Sequence, residues 1–324
     1  MPNDLPQQAV PRSYPRIVFM GTPEFAVASL DAILQAGFDV VGVVTAPDKP
    51  AGRGMQLAQS AVKKYAVARG LHVLQPENLR DPGFLSALQA LRADLQIVVA
   101  FRMLPEVVWS MPPMGTVNLH GSLLPQYRGA APINWAVING ETVTGVTTFR
   151  LQHAIDTGGI LLQESFSISD TDTAGDVHDR MMMIGADLLV KTIAGLAAGT
   201  LHEAAQQDSP ELKHAPKIFT ETCRIDWGRS TVEVYNLIRG LSPFPAAFTF
   251  LDGKMLKIFK GEKEVLGDVL PGGGPGKLHT DGKTFLQFST VDGWIRVTEL
   301  QLEGKKKMQI GDFLRGYRPP DQAA

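Results

Sequence analysis

The 324-residue sequence is poor in cysteine and contains only Cys223. No intrachain disulfide can form, which excludes a secreted scaffold held by disulfides and a zinc site made of several cysteines. Charged residues make up 20% of the chain and hydrophobic residues 44%, which argues against a wholly disordered protein and is enough for ordinary cores. At roughly 150 residues per domain, this length suggests two domains.

Long hydrophobic runs are also missing. No stretch approaches the roughly 18 apolar residues that a membrane helix needs. Residues 1–15 are polar and rich in proline, and they lack the apolar segment of a signal peptide. We therefore expect a flexible lead at residues 1–15 and a soluble, cytoplasmic protein that does not contact a membrane.

Several sequence motifs are absent as well. The chain has no G-x-G-x-x-G, G-x-x-x-x-G-K-[ST], C-x-x-C or H-x-x-x-H pattern. The Gly21-Thr22-Pro23 turn resembles a helix start that binds phosphate, but the missing glycine pattern argues against a nicotinamide-dependent oxidoreductase. We predict neither a metal site nor a nucleoside triphosphate site.

What the chain does have, over residues 16–204, is an alternation of strand and helix patterns. A strand at 17–20 is followed by a helix that Thr22 is expected to cap, with Pro23 in its first position and Gly37 at its end, and then by a strand at 40–44. Further strands are predicted at 71–74, 95–100, 116–119, 143–151 and 160–168, and further helices at 61–68, 84–91, 131–138 and 174–196. This order predicts an α/β domain with an open, mostly parallel sheet and helices on both faces.

The pattern changes after residue 204. Residues 205–222 are polar and contain Pro210 and Pro216, which predicts a linker. Residues 223–324 carry short alternating segments separated by Asp-Gly turns, which predicts a small β domain, interpreted as a barrel. The last 114 residues hold 17 Lys and Arg against 14 Asp and Glu, so positive charge leans modestly toward this end.

Polar residues end the strand at 116–119. Asn118 and His120 are two residues apart, so their side chains share one face of the strand, at the edge where open α/β sheets bind ligands. An amide donor and an imidazole suit the stabilisation of an oxyanion and the movement of a proton during acyl transfer. The residues alone are equally compatible with an Asn-x-His pair that only stabilises a turn.

Two other segments contain candidate residues. Asp156 follows a predicted strand and could orient His120 or accept a proton, although an Asp in this position could equally cap the turn before Gly158. His153 is a weaker candidate by alternation. The loop at 45–54 contains Arg53, and its cations could contact phosphates or could simply be solvated.

Taken together, these segments resemble the methionyl-tRNA formyltransferase family. The resemblance rests on IVFMGTPEFA, VTAPDKPAGRG, NLHGSLLPQYRGAAPINWAVINGE and IDTGGILL, and the later RIDW also fits. It covers most of residues 16–200. In AFRMLP, Phe101 and Arg102 stand where many relatives have a tyrosine–glycine pair, and this departure lies close to the expected folate pocket.

The resemblance implies a Rossmann-like catalytic domain at 16–204, the 205–222 linker, and an OB-like, tRNA-binding domain at 223–324. It implies transfer of a formyl group from 10-formyltetrahydrofolate, as co-substrate and without a metal, to initiator methionyl-tRNA. By position, the catalytic residues are Asn118, His120 and Asp156. The tetrahydrofolate site is lined by Ser122, Leu123, Leu124 and Pro125, and the tRNA is contacted by Arg53, Lys213 and Lys217. We expect a monomer.

Four alternatives stay open. The acceptor could be an amino-sugar nucleotide, a ribonucleotide amine or water, because the chemistry at the three catalytic positions would be almost the same. The β domain favours tRNA, although some sugar formyltransferases also carry a C-terminal extension. A non-catalytic RNA-binding module would agree with the small excess of Lys and Arg near the C-terminus. Such a module would not need Asn118, His120 and Asp156 together.

Overall fold

The computed structural model describes residues 14–51, 56–266 and 274–317. The chain forms two compact units that do not follow its linear order. Unit 1 contains the residues up to His120, Val146–Glu164 and Met182–Gln207. Unit 2 contains Gly121–Gly145, Ser165–Met181 and the residues from Asp208 onward. The contiguous boundaries given above stay a prediction.

The secondary structure follows the alternation of the sequence closely. The strands are β1 (Arg16–Gly21), β2 (Asp39–Val44), β3 (Lys49–Ala51), β4 (Gln56–Ala58), β5 (Val73–Leu74), β6 (Leu95–Val99), β7 (Thr116–His120), β8 (Arg128–Gly129), β9 (Val143–Arg150), β10 (Ile160–Ser167), β11 (His214–Ala215), β12 (Ala247–Leu251), β13 (Lys254–Val265), β14 (Leu278–Thr280), β15 (Leu286–Ser289), β16 (Gly293–Leu302) and β17 (Met308–Gln309). The helices are α1 (Glu24–Gln35), α2 (Ala61–Ala68), α3 (Pro82–Ala90), α4 (Glu106–Trp109), α5 (Pro132–Ile138), α6 (Ala174–Ala197), α7 (Thr231–Gly240) and α8 (Ile310–Gly316).

A seven-stranded sheet, in the order β10-β9-β7-β6-β1-β2-β5, carries the first half of the fold. The five strands from β7 to β5 run parallel, and β9 runs antiparallel to β7, with Asn118 opposite Phe149 and His120 opposite Thr147. Residues Ile17–Met20 of β1, the middle one of these five parallel strands, are fully buried. The predicted open, mostly parallel sheet is confirmed.

The start of α1 differs from the prediction. Thr22 does not cap this helix, because Pro23 occupies the cap position in an extended conformation and the helix begins at Glu24. The end of α1 agrees with the prediction: Gly37 adopts a left-handed conformation (φ +79°) and its N–H donates to the Leu34 carbonyl.

The C-terminal part of unit 2 contains a curled antiparallel sheet, in the order β12-β13-β16-β15-β14, with β17 paired to β16. The pairing of β13 with β16 shifts register between Ile258 and Gly261, and such bulges bend a strand. Helix α7 begins with a capping box between Ser230 and Glu233 and packs its apolar side into the core of this sheet. This arrangement agrees with the predicted OB-like domain, although α7 and α8 were not predicted from the sequence.

Among the described residues, no helix combines the length and the apolar character that crossing a bilayer would require.

Candidate active site

Strand β7 brings two of the predicted catalytic residues to its carboxyl end. His120 is its last residue and is 6% exposed, and Asn118, two residues earlier, is half-buried. Alternation along the strand directs both side chains to the same face. The His120 ring lies edge-on to the buried Phe149 ring across the β7–β9 pair, with 6.4 Å between the ring centroids. The packing therefore holds the imidazole in place from β9.

Asp156, the third predicted catalytic residue, lies beside His120. Its Oδ2 is 3.8 Å from His120 Nδ1, and the two side chains are 13% and 7% exposed. This separation exceeds that of a direct hydrogen bond but is close enough for a strong electrostatic interaction where solvent is largely excluded. The geometry suits a carboxylate that stabilises positive charge on the imidazole.

Asp156 reaches this position by a return of the chain after β9. Because β9 is antiparallel to β7, it ends beside Val117, near the start of β7, and not beside His120. The segment 151–159 must therefore return by about 10 Å, the length of three strand residues, to bring the carboxylate to the imidazole. Asp156 takes a left-handed backbone conformation (φ +54°) within this segment.

Two contacts hold the returning segment. The side-chain amide of Gln206 donates to the carbonyl oxygens of Asp156 (2.9 Å) and Gly158 (2.8 Å). Gly158 passes so close to β9 that a Cβ atom there would lie 1.7 Å from the Arg150 carbonyl oxygen. Gly158 is thus required because two backbone segments pack closely at this position.

The four residues predicted to line the tetrahydrofolate site follow His120 directly in sequence and belong to unit 2. Ser122 is fully buried and its hydroxyl donates to the Gln126 carbonyl at 2.6 Å, which closes a tight loop; Leu124 is also buried. Leu123 lines a pocket of about 220 Å³ in unit 2, together with Gln126, Tyr127, Glu141, Val143, Thr144 and Lys213. Pro125 is half-buried.

The three predicted tRNA contacts have different environments. Arg53 lies outside the described residues, between the paired strands β3 and β4. Lys217 is exposed, and its ammonium lies 5.6 Å from the centre of the Phe219 ring. Lys213 forms an ion pair with Glu141 at 2.5 Å, so its charge is already partly neutralised.

The loop that follows β2 is fixed at its start. The Asp48 carboxylate accepts hydrogen bonds from Lys63 and from Gln75, and these bonds lower its pKa below the ordinary value. Arg102 is one of the two residues that stand where many relatives have a tyrosine–glycine pair. Its guanidinium donates hydrogen bonds to the carbonyl oxygens of Pro76 and Glu77.

Several residues of this region were not predicted from the sequence. Gln206 lies in a polar stretch without a motif, and the sequence offers no signal for its contact with the segment around Asp156. Arg150 ends β9 and forms a 2.5 Å ion pair with Glu203, and its guanidinium also donates to the carbonyl oxygen of Met114 just before β7. Within the described part of the chain, no group of three metal-ligating side chains comes together.

Comparison with known proteins decides the family. Residues 15–193 match the formyl transferase family and residues 217–318 match the C-terminal domain of formyl transferases. A methionyl-tRNA formyltransferase of Parabacteroides distasonis is 56% identical over 94% of this chain and 96% of its own length. The chain belongs to the methionyl-tRNA formyltransferase family. The corresponding protein of Bacteroides thetaiotaomicron is 52% identical over 94% of the chain and 97% of its own length.

Solved structures share the fold of this family at low sequence identity. An N-formyltransferase from Helicobacter canadensis, in complex with folinic acid and dTDP-3-aminofucose, matches with a TM-score of 0.65 and 20% identity, over 90% of this chain and 99% of that one. Glycinamide ribonucleotide transformylase 1 from Symbiobacterium toebii matches with a TM-score of 0.52 and 20% identity, over 63% of this chain and all of the other. These likenesses agree with the fold described here.

Proposed function

We propose that this protein transfers the formyl group of 10-formyltetrahydrofolate to the free α-amine of methionyl-initiator-tRNA, giving N-formylmethionyl-tRNA and tetrahydrofolate for translation initiation. The observation that carries the proposal is the 56% identity to a methionyl-tRNA formyltransferase, which extends over 94% of the chain and so across both family domains. The donor is a co-substrate, and no step needs a metal. The reaction belongs to the cytoplasm, where translation starts.

Asn118 and His120 stabilise the reacting carbonyl. As the amine nitrogen bonds to the formyl carbon, the carbonyl oxygen gains negative charge, and these two side chains are placed at the end of β7 to donate hydrogen bonds to it. The carbon–nitrogen bond to the donor then breaks. The amine loses one proton and the folate nitrogen gains one, so charge balances without a covalent enzyme intermediate.

Asp156 assists in two ways in this proposal. Its carboxylate, 3.8 Å from His120, stabilises positive charge on the imidazole while the imidazole donates to the oxyanion. It also takes up the proton of the attacking amine, directly or through a water molecule. The segment Ser122–Pro125 is proposed to line the tetrahydrofolate site.

The tRNA contacts remain proposals at single residues. Arg53 and Lys217 are proposed to meet phosphates, Arg53 because it lies in the VTAPDKPAGRG loop and Lys217 because it is exposed and cationic. Lys213 was predicted as a third contact, and its ion pair with Glu141 favours a different role. A monomer is proposed.

The decisive experiment is transfer of a labelled formyl group from 10-formyltetrahydrofolate to methionylated initiator tRNA, with methionylated elongator tRNA beside it. Product with the initiator alone would support both the chemistry and the discrimination. Product with neither tRNA, while tetrahydrofolate still binds, would contradict the proposed acceptor and direct the search to amino-sugar nucleotides and other small amines. Their use should be nearly independent of salt, whereas tRNA use should fall steeply as salt rises.

A further inference from the structure

A short segment of unit 2, residues 213–216, is paired to the loop that follows the catalytic strand. Strand β11 runs parallel to β8, with His214 opposite Arg128 and Ala215 opposite Gly129. Gly129 (φ +125°) lies so close to this segment that a Cβ atom there would be 2.5 Å from the Ala215 carbonyl oxygen. The loop and the segment are therefore in direct backbone contact.

The main chain of Lys213 extends this pairing toward the folate-lining residues. Its carbonyl oxygen accepts from the Tyr127 N–H at 2.6 Å, and its own N–H donates to Gln126 Oε1 at 2.8 Å. The carbonyl of Gln126 in turn accepts from the Ser122 hydroxyl. One residue of the segment thus fixes the end of the turn that begins at Ser122.

The side chains tie the same two segments a second time, through Glu141. Its Oε1 accepts hydrogen bonds from the Tyr127 hydroxyl and from the Lys213 ammonium, both at 2.5 Å. Asn139 donates to the Tyr127 hydroxyl at 3.1 Å. We call Tyr127, Glu141 and Lys213 the Glu141 tie. It lines the 220 Å³ pocket whose wall also includes Leu123.

The charges and the burial of the Glu141 tie favour its three side chains staying hydrogen-bonded to one another. Burial, followed by the hydrogen bond to Glu141, raises the pKa of Tyr127, so the phenol keeps its proton. Burial acts to raise the pKa of Glu141, but the hydrogen bonds from Lys213 and Tyr127 lower it below the ordinary value. A carboxylate therefore faces one neutral donor and one cation, and each hydrogen bond is assisted by charge.

We propose that Glu141 and Lys213 are positioning residues for the folate donor: they hold the Ser122–Gly129 loop in its binding conformation, and the Lys213 ammonium serves this loop and not a tRNA phosphate. The inference rests on the proposed function, because it assumes that this loop lines the donor site. It assigns a donor-side role to a lysine that the family resemblance places among the tRNA contacts.

The test separates the two roles of Lys213 by separate measurements on donor and tRNA. Lys213→Met and Glu141→Gln should each raise KM for 10-formyltetrahydrofolate by about three- to tenfold, the modest effect expected of a charged pair that is partly exposed to solvent. Their kcat should stay within about twofold, and the salt dependence of kcat/KM for methionyl-tRNA should not change. The double variant should be no worse than either single variant, because one network is removed in each case.

Lys217→Met is the matched control. Its lysine is exposed four residues further on, without a carboxylate partner among the contacts described. If Lys217 meets a phosphate, its removal should lower the slope of log(kcat/KM) against log salt by about 0.7–0.9 and leave the donor KM unchanged. Tyr127→Phe, which keeps the buried ring and removes only the hydroxyl, gives the same donor readout should either charged variant unfold.

Two results would overturn the inference. One is a loss of salt slope in Lys213→Met with an unchanged donor KM, which would return the lysine to the tRNA side. The other is a donor KM in Glu141→Gln equal to that of the wild type. Direct titration of the wild-type protein with tetrahydrofolate keeps this test distinct from the proposed function. If the protein binds tetrahydrofolate but formylates no tRNA, only the proposed acceptor is refuted. If it binds no tetrahydrofolate, the proposed role of the Ser122–Gly129 loop is refuted.

Discussion

The pair formed by His120 and Asp156 allows the effect of one substitution to be worked out from the structure. Asp156→Asn removes the negative charge and keeps the size of the side chain. At 3.8 Å, and with an effective dielectric constant of about 20, a full imidazolium and a carboxylate attract each other by about 4 kcal/mol. Because each side chain is about one-tenth exposed, screening by bulk water is weak. Loss of this attraction alone can therefore lower kcat by at most about a thousandfold, apart from the proton transfer that Asp156 is also proposed to perform.

The expected loss from the attraction is somewhat smaller than this limit. The imidazole carries only part of a positive charge while it donates to the oxyanion, and the asparagine amide keeps a dipole near it. This contribution alone should lower kcat for methionyl-tRNA about a hundred- to a thousandfold, within the range seen when one oxyanion-stabilising group is removed. Single-turnover transfer of labelled formyl at saturating donor and tRNA measures this step, and unchanged far-ultraviolet dichroism would show that the fold is intact.

Asp179→Asn is the control for this measurement, since Asp179 also pairs with a histidine. Its Oδ1 is 3.0 Å from His178 Nδ1, closer than in the catalytic pair, but the two side chains are 79% and 39% exposed. Exposed pairs contribute about 0–1 kcal/mol, so kcat should not change. A loss under tenfold in Asp156→Asn, or an equal loss in both variants, would refute the electrostatic reasoning.

Three further outcomes are expected. Asn118→Ala should lower kcat by about 100–1,000-fold with the fold intact, because it deletes an oxyanion donor; a loss under tenfold in the same assay would contradict this role. Gly158→Ala should destabilise the protein by several kcal/mol in urea unfolding, because its Cβ has no room, whereas Gly311→Ala, with nothing within 4 Å of its Cβ, should be nearly neutral. The hydrogen bond from the backbone N–H of Thr231 lowers the pKa of Asp292. The ionised carboxylate therefore stabilises the folded state above its unfolded pKa of about 3.9, and this stabilisation is lost as the pH falls through the lowered folded pKa. Asp292→Asn should lower the free energy of unfolding by about 1 kcal/mol at pH 7, and the stability of the variant should depend less on pH in acid.

The elements that could be predicted from the sequence are those with strong local signals. Helix α2 is found at Ala61–Ala68 as predicted, because the Ser60 hydroxyl caps it and Gly70 (φ +67°) ends the following turn. Helix α7 carries an equally clear Ser-x-x-Glu signal at Ser230 but was not predicted, because it lies among segments whose alternation is typical of strands. The cap of α1 was assigned wrongly because two adjacent residues, Thr22 and Pro23, both suit a helix start.

The candidate site was predictable only in part, for a different reason. Periodicity along β7 places Asn118 and His120 on one face, since that relation is local. The contacts of Glu141 with Lys213 join residues 72 positions apart in sequence, and neither residue stands in a motif that would indicate the other. Gln206 reaches Asp156 across 50 positions in the same way. Side-chain contacts of this range depend on the finished tertiary structure.

The position of Asp156 beside His120 does not follow from the strand order alone. The rule that ligands bind beyond the carboxyl ends of strands applies to parallel strands, whose carboxyl ends share one edge of the sheet. Strand β9 is antiparallel to β7, so the rule alone would place Asp156 at the opposite edge from His120. The segment 151–159 reverses this outcome, because Gly158 lets it pass against the backbone of β9 and Gln206 holds two of its carbonyl oxygens. The position of the Asp156 carboxylate beside the imidazole therefore depends on the close passage of the chain at Gly158.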